Sequence, residues 1–540
     1  MKLKKLLALI LAAACLVSCA PGKEEKETSK SKGKKKTETV DKDKKKKKKA
    51  SQKVSEDEAD ELTLHMHFFG YCVYDETWPI WQEAEKRTGI KVKGTASEVI
   101  SDSAQAYNTM LVSDKLSDII HYTTKDLANL AEDGGLIPLD DLIDEYAPNI
   151  KTYFEKYPEA KRACTVTVDG EDHIYFINGS NSGIENGGKP AVRKGWFIRT
   201  DWLKKLGLEE PETLEEFYQV MKAFREQDPN GNGKRDEVPL FERQEGITAY
   251  LQLWDAYSGW HLRNGKAVYG ETEEEYKNAI RDLSKWYKEG LIDKEIFTRG
   301  QQAREQLLGQ NLGGCTSDWF SSTSKYNDMY KDSIPGFEFM PIDPPKDIRG
   351  VQKEVATRSQ FHSMGWGISK DCKYPVTAIK YMDFWMSQEG RDLISFGIEG
   401  EHYTIKNGKK QFTDRVLSAD GGASNYMRNQ GQVEIGTIIN IESELMGMNE
   451  IGRAGFERYI DRGYAVKTDE CILTTEESTE IEKIMNNIST YTNEMQQKWI
   501  LGEADVDATW DEYIKTINDY GYDKVQKIEQ KGYDRGMGKK

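Results

Sequence analysis

The sequence predicts an α/β protein of at least two lobes with a helical C-terminal region, and three observations carry that expectation. The chain has 540 residues, of which 37% are hydrophobic, enough apolar side chain for more than one core. Period-two hydrophobic segments alternate with amphipathic ones after residue 60, the order that produces a largely parallel sheet. A stretch rich in Gly, Asn and Ser, from Asn178 to Gly188, then separates apolar segments, as a crossover between lobes does.

Leu62, Leu64, Met66 and Phe68 alternate with Thr63, His65 and His67 and predict the opening strand. A helix is expected from Trp78 to Thr88, stopped by Gly89, followed by an extended segment from Ile90 to Val92. Ser117 to Ile120 reads as a strand, Leu136 to Tyr146 as a short helix, and His173 to Ile177 as another strand. Beyond the Gly-rich stretch, Trp196-Phe197-Ile198 opens a second apolar region, and Thr213 with Glu216 forms a capping box for a helix bearing Leu214, Phe217, Met221 and Phe224. Further helices carry Tyr276 to Trp286 and Ile379 to Met386, the latter after the strand-like Trp366-Gly367-Ile368. Ile481, Ile484, Ile488, Tyr491 and Met495 share a helical face that runs to Gly502, and Thr509 with Glu512 predicts the cap of a last helix through Tyr520.

Charge is unevenly spread. Residues 1–18 carry +3 and residues 20–50 carry +8, from 14 Lys against 6 acids; taken from a total of -15, these leave -26 on residues 51–540. So acidic a body disfavours nucleic acid as a partner. The apolar run Leu6 to Val17 is too short to span a bilayer and reads as an export signal. It ends in Leu16-Val17-Ser18-Cys19, which resembles the lipobox of bacterial lipoproteins; the resemblance implies that the Cys19 thiol takes a lipid, so the protein is expected on the outer face of the cell membrane, an ordinary secretory signal being the alternative. Residues 20–59 hold almost no apolar side chain and read as a flexible lysine-rich tether. Cys72, Cys164, Cys315, Cys372 and Cys471 show no CxxC spacing and read as small buried hydrophobes.

The strongest local motif is Asp228-Pro229-Asn230-Gly231-Asn232-Gly233-Lys234-Arg235-Asp236-Glu237. Asp228, Asn230 and Asn232 stand at positions 1, 3 and 5 with Gly233 at 6, as an EF-hand loop begins, and the Lys234 carbonyl with Asp236 and Glu237 completes an oxygen shell suited to structural Ca²⁺. The twelfth position is Pro239, so Glu237 closes the site two residues early; an ion-free Asn-Gly turn is the alternative.

No HExxH, GxSxG, P-loop or strand-linked GxGxxG pattern is present, and His65 with His67 lacks a third metal ligand. No residue is singled out as catalytic. Aromatic residues near expected strand ends and loops, Tyr71, Trp78, Trp254, Trp260, Trp319 and Trp366, are candidate carbohydrate-stacking groups, and Trp319, inside the polar run Thr316 to Ser322, is the foremost.

Together the lipobox, the Lys/Ser tether, Ser117-Asp118-Ile119-Ile120, Gly134 to Leu139, Arg199 to Gly207 and Phe396 to Gly400 resemble the extracellular solute-binding proteins of bacterial ABC importers, in particular the large oligosaccharide-binding lipoproteins related to alginate-binding proteins. The resemblance implies a two-lobed, periplasmic-binding-protein-like (type II) α/β fold with a hinge, divided as 60–185 with 336–388 and 186–335 with 389–540. It implies a monomeric, non-enzymatic receptor that presents an oligosaccharide to a permease, with the calcium pattern matched at Asp228, Asn230, Asn232, Lys234, Asp236 and Glu237 and a stacking role for Trp319. A peptide or amino-acid receptor of the same fold and an exported glycan-degrading lipoprotein are the alternatives.

Overall fold

Wherever the period-two pattern is apolar on both faces, the computed structural model buries a strand between helical layers. Ten strands form two sheets: β1 Glu61–Phe68, β2 Cys72–Val73, β3 Lys91–Gly94, β4 Ile119–Thr123, β5 Phe176–Ser180, β6 Lys194–Arg199, β7 Val238–Leu240, β8 Gly313–Trp319, β9 Phe339–Ile342 and β10 Phe361–Ile368. The structure describes residues 58–539 except 69–71, 98, 114, 181–191, 193, 356–360, 420–421 and 467–468. The export signal, Cys19, nearly all of the tether and Tyr71 lie outside the described residues. No helix among the described residues is long and apolar enough to cross a membrane.

The first sheet runs β2-β1-β4-β10-β5, with β3 also paired to β1. β1 is parallel to β3 and β4, whereas β10 runs antiparallel to β4 and β5. The second sheet runs β9-β6-β8-β7, with β8 parallel to β7 and antiparallel to β6. Both faces of the second sheet are covered, so successive side chains enter different cores. Trp196 and Ile198 of β6 join the cluster with Phe217, Trp254 and Trp499, while Phe197 joins Phe241, Phe320 and Phe339.

Most sequence expectations for elements find their counterpart. The helix after Trp78 spans Pro79–Thr88 and ends in left-handed Gly89, φ 73°, and both halves of the Thr213–Glu216 capping box are formed on Leu214–Glu226. Three differ. The helix expected from Leu136 begins only at Asp140; Pro138 disfavours helical backbone at Ile137, and Leu136 pairs with Ser369 instead. His173 to Ile177 is not one strand: Glu171–Ile174 pairs back on Thr165–Val168, and the chain re-enters the main sheet only at Phe176. The helix expected to be the last, Val506–Asp519, is capped by Asp505, whose side chain accepts from the Ala508 N–H, while Thr509 lies inside the helix and accepts from the Trp499 indole at 2.8 Å; a further helix, Tyr522–Gly536, follows it.

Pairing and packing also divide the chain differently from the expected boundaries at 335/336 and 388/389. β9 belongs to the second sheet, and residues from Leu393 to Ile438 pack into the first core beside Trp385 and Phe176. Helices Thr475–Leu501 and Val506–Asp519 close over the second core. Cys72, Cys164 and Cys315 are buried, Cys372 and Cys471 partly so, and all five are free thiols.

Under the C-terminal edge of the first sheet lies a group of imidazoles. His121, fully buried, places Nε2 2.8 Å from the Glu434 carbonyl and leaves Nδ1 covered without a partner, so it is the neutral tautomer with the proton on Nε2 that fits. Burial pushes its pKa down to about 3, and burial together with nearby His67 brings His65 to about 4. The unfolded chain therefore binds more protons than the folded one between roughly pH 6.5 and 3, His65 contributing down to about 4 and His121 down to about 3. Stability is expected to fall as pH drops through that window and to level off below it; in urea titrations His121→Phe should show a shallower decline than wild type, and identical slopes would contradict this assignment.

Candidate functional site

Strand ends, not surface loops alone, define where the two lobes meet. β5 ends at Ser180 beside the start of β10 (Phe361↔Ser180), and β10 passes the end of β4 (Met364↔Thr123). The carboxyl ends of β1, β4 and β5 therefore share one edge. In the second sheet, β8 ends beside the start of β6 (Trp319↔Lys194), β9 ends there too (Ile342↔Trp196), and β7, parallel to β8, ends at Leu240. The chain passes from Ser180 to Lys194, from Ile342 to Phe361, and from Ile438, which bridges Ser180, to Ile441 in the cluster with Phe197, Phe241 and Phe320 on the other face of the second sheet. All three crossings join the same two edges, so the carboxyl ends of both sheets face one another, the position where open α/β sheets bind ligands.

At this edge the second lobe carries a built charge cluster. Asp318, completely buried, accepts Arg243 Nε and Nη2 at 2.7 and 2.9 Å and the Trp319 N–H at 2.7 Å; Arg304 Nε stands 3.3 Å away. Arg243 also donates to Gln301, and Arg304 to Ser322 and Thr323. Next to them Lys194, which is 2% exposed, approaches Glu245 at 2.6 Å and Glu242 at 3.6 Å. Glu242 Oε2 receives the N–H groups of Gln244, Glu245 and Gly246. Burial pushes the Glu242 carboxyl above its usual range, with Lys194 opposing and Asp318 adding to the shift. Burial lowers the pKa of Arg304, and burial followed by the nearby Arg304 and Arg243 lowers that of Lys325.

Of the aromatic candidates, Trp319 stands at this edge, partly exposed, on the last residue of β8. The others with described positions are placed elsewhere. Trp254 is 2% exposed, donates to Asp282 at 2.7 Å and packs 5.3 Å from Trp286. Trp366 is covered in the middle of β10, against Gly436 and Tyr381. Trp78 is the buried N-cap of its helix, against Tyr74 and Trp81, and Trp260 stacks on Tyr522 in a hairpin. These four rings fill or brace cores because burying an indole releases more apolar area than a sugar face would cover. On the first-lobe side Tyr122, the penultimate residue of β4, stacks on Tyr107 at 4.1 Å, beside a cavity lined also by Asn108, Asp126 and Asn129. Sequence reasoning missed Lys194, Glu242, Arg243, Arg304 and Asp318. The signal available for two of them was a charge abutting an apolar strand: Lys194 before Gly195-Trp196 and Asp318 after Gly313 to Ser317.

The loop Asp228 to Glu237 folds around its own polar groups. Asp228, at φ 47°, accepts the N–H groups of Gly231, Asn232 and Gly233 at 3.0, 3.0 and 2.9 Å, and Asn232 Oδ1 accepts that of Lys234 at 2.8 Å. Asn232 Nδ2 donates to Asp236 at 2.9 Å. Glu237 turns inward, 1% exposed, with Oε2 lacking a hydrogen-bond partner; burial raises its carboxyl pKa, and Asp228 and Asp236 add repulsion. An orphaned carboxylate oxygen beside two further acids and two amide oxygens is a donor set that fits a hard cation. The side chains have not drawn together: among the described residues, no group of three or more His, Cys, Asp or Glu side chains is gathered for a metal.

Two lobes with their strand ends opposed across chain crossings define a solute-binding protein, and comparison with known sequences agrees. Residues 75–392 match the family described as bacterial extracellular solute-binding protein, and the chain belongs to that family. It is 36% identical to the alginate-binding protein AlgQ2, solved without calcium ion, with a TM-score of 0.75 over 88% of this chain and 98% of that one. It is 27% identical over 499 residues, 84% of this chain and 86% of the relative, to the fructooligosaccharide ABC transporter substrate-binding protein FusA of Streptococcus pneumoniae serotype 4 (strain ATCC BAA-334 / TIGR4). A FusA EF-hand mutant in complex with fructo-nystose shares the fold at a TM-score of 0.69 and 23% identity, over 88% of this chain and 99% of that one.

Removing Asp318 strands two covered guanidiniums. Asp318→Ala is therefore expected to lower unfolding free energy by about 3–5 kcal/mol, read from urea denaturation; a loss below about 1 kcal/mol would mean that the cluster is not desolvated as described.

Proposed function

We propose that this protein is the membrane-tethered receptor of an ABC importer and that it captures an oligosaccharide between its lobes. The observation that carries the reading is the partly exposed Trp319 set on a buried charge cluster at the edge where both sheets direct their strand ends. An aromatic face next to fixed hydrogen-bonding groups is what a sugar ring, apolar on its faces and polar around its rim, requires. The names of AlgQ2 and FusA, one an alginate binder and the other a fructooligosaccharide binder, support a carbohydrate ligand.

In this reading the protein binds without altering any covalent bond. The lobes close as rigid bodies about the three crossings, and ligand favours the closed state because it touches both edges only then. A monomer suffices, and the closed pair of lobes is the surface offered to the permease. Cys19, lipidated, and the tether after it keep the receptor at the outer face of the membrane.

The reading includes structural Ca²⁺ in the Asp228 to Glu237 loop, held by Asp228, Asn230, Asn232, the Lys234 carbonyl, Asp236 and Glu237 and supported by the orphaned Glu237 oxygen. The ion supplies charge neutralisation for three carboxylates and takes no part in chemistry.

Two measurements test this. Trp319→Ala should weaken calorimetric affinity for a bound oligosaccharide by about 1–3 kcal/mol with thermal stability retained; unchanged affinity removes the ring from the site. Adding calcium to EDTA-stripped protein should raise Tm by several degrees, since a ligand bound only by the folded state stabilises it. Asp228→Ala should abolish the rise. A wild-type Tm insensitive to calcium rejects the ion.

A further inference from the structure

Between helices Ser103–Leu111 and Thr124–Glu132 of the first lobe lies a groove of about 300 Å³. The first helix lines it chiefly with Tyr107 and Leu111, whereas the second supplies Asp126, Asn129, Leu130 and Asp133, an i, i+3, i+4, i+7 stripe along one face. The groove starts beside Tyr122 at the end of β4 and runs back along the second helix, so Asp133 stands about 10 Å from Asp126 along the axis. No Lys, Arg or His lines it. Asp126 has its charge met in part by the Thr123 hydroxyl and by the start of its helix. Asp133 has the opposite setting: it caps the carboxyl end of that helix, whose last turn holds no basic residue, so carboxylate and helix dipole repel. Asn129 Oδ1 is covered and has no hydrogen-bond partner, and Tyr122, 7% exposed, has a hydroxyl with none among the described residues. Burial raises the pKa of both phenols, and the charged groups that add to it are carboxylates alone, Asp126 and Asp133 at Tyr107 and Asp126 and Asp102 at Tyr122. The cations nearest in sequence are engaged elsewhere, Lys125 with Glu482 and Lys115 toward Cys372.

We infer that this groove is a ligand site separate from the cleft between the lobes and that it takes a linear aliphatic diamine. One ammonium lies between Asp133 and Asn129 Oδ1, the other at Asp126 and the Tyr122 hydroxyl, and the methylene chain covers Leu130 and Leu111. Charge sets the class of ligand: an anion meets three carboxylates there, and a neutral chain leaves them uncompensated, whereas an ammonium supplies both the missing charge and donors for the unpartnered oxygens. Spacing sets its valence. Two carboxylates two helical turns apart engage two linked ammonium groups, and the apolar side chains between them suit a hydrocarbon linker.

The test is calorimetry on the purified protein with cadaverine, pentylamine and the five-carbon diol. Cadaverine is expected to bind at least about fivefold more tightly than pentylamine, with no heat from the diol and with an affinity that falls as salt rises. Asp133→Asn should bring cadaverine down to the affinity of pentylamine, whereas Asp141→Asn, at another exposed acid of the same lobe, should leave it unchanged. Because Asp133 is exposed and sits at the negative end of its helix, its replacement should leave Tm unchanged or slightly higher, so a lost affinity reports the site and not the fold. The inference fails if the diol binds as well as cadaverine, if cadaverine gives no heat at millimolar concentration, or if the two Asp→Asn variants lower its affinity alike. Each of these outcomes leaves the oligosaccharide reading standing, since that is decided separately by Trp319→Ala.

Discussion

Three passages of the chain between the same two strand edges constrain everything else in this molecule. A single crossing would leave the sheets free to meet along any face. Three of them, ending at Ser180 and Lys194, Ile342 and Phe361, and Ile438 and Ile441, fix which edges face each other. The constraint is enforced by close backbone packing where strands and returning chain touch. A Cβ on Gly179 would lie 2.2 Å from the Thr437 carbonyl oxygen, and one on Gly436 2.2 Å from the Trp366 indole nitrogen. Side chains larger than hydrogen at either position would push the third crossing away from β5 and β10, and with it the alignment of the edges.

Given that alignment, the second-lobe edge must solve an electrostatic problem that an ordinary core avoids. Charges at strand ends are withdrawn from water by Phe241, Phe320 and Tyr326, and each needs a partner of opposite sign. Asp318 meets the need for two guanidiniums at once, and the backbone N–H groups of residues 244 to 246 do so for Glu242. The arrangement holds the groups rigid, which is what a binding surface needs if little ordering entropy is to be lost on contact with a flexible ligand. The same rigidity orients Trp319, whose N–H is tied back to the Asp318 carboxylate.

How much of this was legible in the sequence depended on the range of the interaction concerned. Strands with clean alternation, such as Leu62 to Phe68, and helices with a capping box, such as that following Thr213, were recoverable because their determinants lie within a few residues. The same holds for the Asp228 loop, whose Asn and Gly spacing dictates its turns. Trp319 was set apart only by its polar flanks, Thr316 to Ser322; Trp254, Trp366 and Trp78 could not be assigned to the core, since an indole reads alike in a core and in a cleft until the opposing surface is known. Arg243, Arg304 and Asp318 were invisible for the same reason: they come from a loop, a helix and a strand separated by up to 75 positions, and only the pairing of β7 with β8 assembles them. The boundary at 388/389 misplaced Leu393 to Ile438 because no composition shift marks a segment that continues in an existing core.

That assembly also relates the Asp228 to Glu237 loop to the cleft through a very short lever. The loop ends at Glu237, β7 occupies the three residues Val238 to Leu240, and Glu242 and Arg243 follow at the far end. Three residues of strand span only about 10 Å. Arg225 from the preceding helix donates to the Glu237 carbonyl at 2.9 Å, and Leu240 exchanges hydrogen bonds with Leu291 and Asp293, so the strand is held at both ends and along its side. An edge strand of this length has little pairing of its own with which to resist displacement. The anchor at its start shares in fixing its register with β8 and the Leu291 to Asp293 segment, and the position of Arg243 against Asp318 rests on that register. A loop whose three carboxylates repel one another is a poor anchor until their charge is neutralised. The conformation of a turn remote from the ligand therefore bears on the geometry of the charged wall beside Trp319.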